Sequence, residues 1–185
     1  SADDDAIAWY KNDGAADPSW TAADIATSAD AARSVFVADI DNDGDLDIVS
    51  ASADDDAIAW YENGLAAFGS HSFTAADIAT SADGAIAVFV ADLDNDGDKD
   101  IVSAGFNDDA IAWYENDGAA NPSFSAADIA TSADGATFAF AADMDNDGDM
   151  DIVSTSYVDA TIAWYENDGA ANPSWSAADI ATSAA

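Results

Sequence analysis

Three nine-residue stretches hold the side chains in this sequence best suited to chemistry. They read D-I-D-N-D-G-D-L-D at 39–47, D-L-D-N-D-G-D-K-D at 92–100 and D-M-D-N-D-G-D-M-D at 143–151. Carboxylates at alternate positions, with Gly sixth, are what a hard cation needs. In the first copy Asp39, Asp41 and Asp43 would place oxygens around one centre. Gly44 would let the backbone turn sharply, the carbonyl of Asp45 would face inward, and Asp47 would close the site. Gathering so many carboxylates without a cation is repulsive. No His or Cys lies near, so an all-oxygen donor set favours calcium over zinc or copper. Magnesium is the lesser candidate, because it prefers fewer carboxylates and retains waters. The bland alternative is a solvated acidic turn. It fits poorly with three copies that keep the Gly and every Asp.

The elements that must position these loops follow from internal repetition. A-I-A-W-Y recurs at 6–10, 57–61 and 110–114, with T-I-A-W-Y at 161–165. A-A-D-I-A-T-S-A recurs at 22–29, 75–82, 126–133 and 177–184. Trp9, Trp60, Trp113 and Trp164 are spaced by 51, 53 and 51 residues. The one length change falls between Tyr61 and Asp77, which predicts a loop there. Each period reads as four short strands. The first alternates apolar and small residues (34–39, 87–92, 138–143) and leads into the acidic loop. The second leaves the loop (46–51, 99–104, 150–155). The third holds the Trp-Tyr pair (5–10, 57–62, 110–115, 161–166), and the fourth is marked by Trp20, Phe73, Phe124 and Trp175. Helix is the competing reading for the Ala-rich text at 22–32; its short length and the repeat context oppose it.

Four antiparallel strands in a period of about 50 residues indicate the blades of an all-β propeller. The chain divides into a half blade at 1–30 and blades at 31–83, 84–134 and 135–185. Ile58 and Trp60 should face one neighbour, Ala59 and Tyr61 the other. Three and a half blades fall short of the four to eight of a closed propeller. The expectation is therefore a segment completed by further blades or a protein partner, ahead of a homo-oligomeric ring.

The run V-F-V-A-D-I-D-N-D-G-D-L-D-I-V-S resembles the FG-GAP/VCBS repeat family, which includes the calcium-bearing blades of integrin α-subunit propellers. The acidic motif also matches the first half of an EF-hand loop, with the closing acid ninth instead of twelfth. The family resemblance implies a propeller with calcium in the hairpin between the first two strands of each blade. It implies ligands at Asp39, Asp41, Asp43, Asp45 (backbone carbonyl) and Asp47. Equivalent sets are Asp92, Asp94, Asp96, Asp98 and Asp100, and Asp143, Asp145, Asp147, Asp149 and Asp151, giving three calcium sites. The phrase that names the family is degenerate here: the stretches near Phe106 and Tyr157 lack its Gly and Pro.

Composition narrows the function. Asp and Glu number 38 against 3 Lys and Arg, a formal charge of -35. Three divalent ions would bring that only to about -29. Such a surface repels nucleic acid and anionic membranes, and it suits a salty, calcium-containing, extracellular setting. There is no Cys and hence no disulfide framework. His71, the one histidine, is expected in the longer loop beside Phe68, Gly69, Ser70 and Ser72. One histidine and no nucleophile motif leave no triad, so no enzyme is expected. Carboxylate-only glycoside hydrolysis is the weakest alternative. A carbohydrate-binding propeller is the stronger one, motivated by the regular loop aromatics Trp20, Phe73, Phe124 and Trp175 beside the Asn-Asp-Gly turns. The Trp-Tyr pairs are expected between blades, and the Asp-rich turns at 3–5, 54–56 and 107–109 as solvated tips. The leading expectation is a calcium-stabilised structural or adhesive module.

Overall fold

Short runs of β-branched and aromatic residues, broken by Asp, Asn and Gly, leave the chain little choice but strands and tight turns. A computed structural model describes residues 5–66 and 70–183, and every regular element within them is a strand. The Phe68 and Gly69 surroundings of His71 and the first two residues of the acidic turn at 3–5 lie outside the described residues. β1 (Ile7–Asn12) and β2 (Trp20–Ala26) form a two-stranded sheet. Next come β3 (Ala32–Ala38), β4 (Asp47–Ser52), β5 (Ala57–Ala66) and β6 (Ser70–Ala79), one antiparallel sheet in chain order. β7 (Ala85–Ala91), β8 (Asp100–Gly105), β9 (Ala110–Asn116) and β10 (Phe124–Ala130) form the second four-stranded sheet. β11 (Ala136–Ala142), β12 (Asp151–Ser156), β13 (Thr161–Asn167) and β14 (Trp175–Ala181) form the third. The Ala-rich stretch after Trp20 is strand, as its repeat context requires.

The second and third strands of each sheet pair without interruption, Ile48 opposite Tyr61 through Ser52 opposite Ala57 in the first. The outer pairings carry an irregularity at equivalent places, between Ala32 and Ser34 and between Ile58 and Ala59 in the first sheet. An extra residue there bends the strand and raises the local twist, which is what lets blades stack around an axis.

The core lies between sheets, not within one. β7 packs on β3 and β4, and β11 packs on β7 and β8. Phe36, Phe89 and Phe140 form a column across three sheets, with ring centroids 4.9 and 4.6 Å apart. Trp60 and Trp113 are buried toward the following sheet, Tyr61, Tyr114 and Tyr165 toward the preceding one. The two-residue period of the strand sends them opposite ways, as expected. Tyr10 is 60% exposed, the one such tyrosine with no described sheet before it. Among the described residues the stack does not close into a ring.

Two sequence expectations need correction. His71 sits on β6, not in a loop: it pairs with Leu65, its Nδ1 lies 3.0 Å from Asn63 Oδ1, and its ring meets Trp9 edge-on at 4.9 Å. The length change extends β5 and β6 outward, so the hairpin grows where a longer loop was expected. Of the four strand-opening aromatics, only Trp20 stands exposed, at 59%. Phe73, Phe124 and Trp175 pack against the core with the preceding sheet. Three of the four are therefore half-buried inter-blade side chains.

Candidate metal centres

Each acidic loop joins the first strand of a blade to the second. Its shape comes from residues that accept left-handed backbone. Asn42, Asn95 and Asn146 have φ of 58, 61 and 66°, and Gly44, Gly97 and Gly148 have φ of 95, 101 and 104°. Asn tolerates the first region, and only Gly takes the second without strain. Short Asp side chains then bond the turning backbone. In the first loop Asp41 Oδ1 accepts from the Asp43 N–H (3.2 Å), Asp43 Oδ1 from Asp45 N–H (2.8 Å) and Asp39 Oδ2 from Gly44 N–H (3.1 Å). The other loops repeat these contacts.

This geometry gathers the first, third and fifth carboxylates. Asp39, Asp41 and Asp43 offer oxygens within 4.8 Å of one another, as do Asp92, Asp94 and Asp96, and Asp143, Asp145 and Asp147. A calcium ion with ligands at about 2.3–2.6 Å spans its oxygens over up to about 5 Å. Asp39 Oδ1 and Asp92 Oδ1 are also buried and take no hydrogen bond. A buried carboxylate oxygen without a donor is costly, and a bound cation would offset that cost. In the third loop the corresponding Asp143 Oδ1 accepts from Asn146 N–H at 2.7 Å, and all three carboxylates are exposed. Burial, then the neighbouring charges, raises the pKa of Asp41 and of Asp94 despite a backbone hydrogen bond that lowers each.

The ninth-position carboxylates lie deeper. Asp47, Asp100 and Asp151 are buried to 1%, 1% and 0% exposure. Asp100 Oδ2 accepts from Leu93 N–H (3.0 Å) and Oδ1 from Asn116 N–H (2.9 Å). Asp47 and Asp151 bond the equivalent groups. Each therefore clamps the loop's entry to the end of the third strand, with one oxygen per amide. Desolvation pushes the Asp100 pKa up to about 7 against those two hydrogen bonds. Asp47 moves the same way for the same reason. The Trp60 indole favours its charged form while stopping short of a full hydrogen bond.

In the second and third loops the seventh-position side chain is turned toward the preceding loop. Asp98 Oδ1 accepts from Asn42 Nδ2 at 2.8 Å and Asp149 Oδ1 from Asn95 Nδ2 at 2.7 Å, so each loop is tied to the next. A Cβ on Gly118 would meet Asp98 Oδ2 at 2.0 Å, which is why the turn beside it is Gly.

Sequence reasoning passed over a second set of residues that hold the loops. Asn116 Nδ2 donates to Lys99 O (3.1 Å) and, across the blade boundary, to Ile40 O (2.9 Å). Asn167 does the same with Met150 O (3.1 Å) and Leu93 O (2.7 Å). Both are 1% exposed. Their recurrence right after W-Y-E was the available signal. The Asp-rich turns are also more than solvated tips. Asp56 Oδ1 accepts from Gly84 N–H (3.0 Å) and Asp109 Oδ1 from Gly135 N–H (2.8 Å), fastening the linker to the next blade.

Stacked four-stranded antiparallel sheets, each with an acidic hairpin loop, define a repeat module of propeller blades. The chain matches the FG-GAP-like repeat over residues 1–50, 41–103 and 92–154, and it belongs to that family. The second and third matches run from one acidic loop to the next. No curated protein matches the chain. Among the described residues no helix is long and apolar enough to cross a membrane.

Proposed function

We propose that this chain is a calcium-stabilised propeller segment with a structural or adhesive, non-catalytic role outside the cell. The observation that carries this is the buried, partnerless Asp39 Oδ1 and Asp92 Oδ1 within converging carboxylate triads. Asp39, Asp41 and Asp43 would hold the ion with the Asp45 carbonyl and Asp47; Asp92–Asp100 and Asp143–Asp151 would repeat the set. The ion would supply positive charge and nothing redox-active. The chain's own part is to hold the carboxylates together and tie each loop to its neighbours through Asn42, Asn95, Asn116 and Asn167. Family membership and the charge of -35 support an extracellular setting. The open blade faces support further blades, or a protein that offers them, as the partner.

Calorimetry with and without a chelator tests the reading. A site filled at ten times its Kd adds about 1.4 kcal/mol. The melting temperature should rise with calcium, and Asp39→Asn and Asp92→Asn should each shrink the rise. An unchanged melting temperature on chelation would remove the cation from the account.

A further inference from the structure

The free edge of β1 and the apolar cleft beside it are shaped for one kind of occupant. Residues 6–10 are identical to residues 57–61. In β5 that sequence pairs with β4, Ile48 opposite Tyr61 through Ser52 opposite Ala57. β1 pairs only with β2, so the chemically identical edge is unpaired among the described residues.

Four further observations fall at the same place. Val35 and Val37 on β3 are 55% and 52% exposed, whereas their counterparts Val88 and Val90 on β7 are 6% exposed beneath the preceding sheet. A cavity of about 390 Å³ lies between the two strands, lined by Ile7, Trp9, Val35, Val37 and Ile48 among others. Asn63 Nδ2 donates only to Leu46 O (2.9 Å), where Asn116 and Asn167 also hold the second-position carbonyl of the preceding loop. And no asparagine reaches Asp45 among the described residues, although Asn42 and Asn95 reach Asp98 and Asp149.

We propose that this face binds the first two strands and acidic loop of a further repeat of the same kind. Its second strand adds antiparallel to β1 in the register of β4 on β5. Its first strand covers Val35 and Val37. The second residue of its loop gives a carbonyl to Asn63, and the fourth, an Asn, reaches Asp45. One hairpin thus satisfies an edge, an apolar cleft and two polar groups, which a featureless hydrophobic partner would not. The inference rests on blade stacking and stands whether or not the loops take a cation.

The test uses the full chain and a synthetic peptide of residues 32–52, in calcium and in chelator. Hydrogen exchange of the β1 amides is the readout. Bound peptide should slow it about tenfold or more. Val35→Asp with Val37→Asp, at sites already exposed, should abolish the protection, while Phe138→Asp on the far sheet should not. An isolated hairpin is only marginally stable. That segment without its last residue, 32–51, is therefore also joined ahead of Ser1, where the junction reproduces the sequence at 51–61. Slowed β1 exchange in the joined form, reversed by the Val35/Val37 changes, supports the proposal. Unprotected β1 in the joined form overturns it. So does β1 protected without any hairpin in a particle of twice the mass, which would give the face to a second copy.

Discussion

Asp100 is the residue whose environment works hardest against its charge. Its pKa stands at about 7 through desolvation, against about 3.9 in an unfolded chain. The folded form binds this proton more tightly, so the stabilisation is whole below about pH 4 and is lost as pH rises through about 7. In chelator, Asp100→Asn should cost about 1–3 kcal/mol at acid pH, because an amide offers only one acceptor oxygen to two buried N–H groups. The gap between wild type and variant should narrow toward neutral pH, read from urea midpoints at pH 4.5 and 8. A gap independent of pH would mean that Asp100 titrates normally. Asn116 offers a sharper comparison between repeats. Asn116→Ala removes donors to two carbonyls and should cost about 1–3 kcal/mol. Asn12→Ala, at the equivalent but exposed place, should cost about 0.5 kcal/mol or less.

Among the elements, the hairpins between third and fourth strands carry a device of their own. Asp117 accepts from the Ser123 hydroxyl and backbone N–H and from Ala119 N–H, and Asp13 and Asp168 bond Ser19 and Ser174 in the same way. The Ser123 hydroxyl is the main cause that lowers the Asp117 pKa. A lowered folded pKa means that stabilisation is present above the unfolded value and is lost as pH falls through the folded one. Ser123→Ala should therefore move the Asp117 carboxyl titration upward in NMR, toward the ordinary carboxylate range. The strands themselves were legible because alternation and repeat agree: all fourteen lie where the repeats put them, within a few residues at most ends. The first strand of each four-stranded sheet starts earlier than its β-branched run, at Ala32, Ala85 and Ala136. The β5–β6 extension was not legible, since an insertion alone does not say whether it will pair or loop.

At the scale of the whole molecule, charge and stacking oppose each other. A net charge of -35 in 185 residues disfavours the compact state, and inter-sheet burial of Trp, Tyr and Ile opposes it. In chelator, monovalent salt should raise the melting temperature steeply up to the concentration where the Debye length, about 3 Å at 1 M, falls below the spacing of the loop carboxylates. With calcium present the slope should be shallower. Equal slopes would show that the loops are not where the repulsion concentrates.

By itself the sequence determined the period, the strands, the triads Asp39/41/43, Asp92/94/96 and Asp143/145/147, and the opposite facing of Trp60 and Tyr61. All of these are local: they depend on spacing along one strand or one loop. Only the tertiary structure decided what Asn116, Asn167, Asn42 and Asn95 do, because their partners lie 76, 74, 56 and 54 residues away across a blade boundary. It also decided that the three acidic loops differ. Asp39 and Asp92 carry buried, partnerless oxygens and Asp143 does not, although the three nonapeptides share every Asp and Gly. Identical residues acquire different surroundings because burial comes from the neighbouring blade, and no chain segment carries its neighbour within itself.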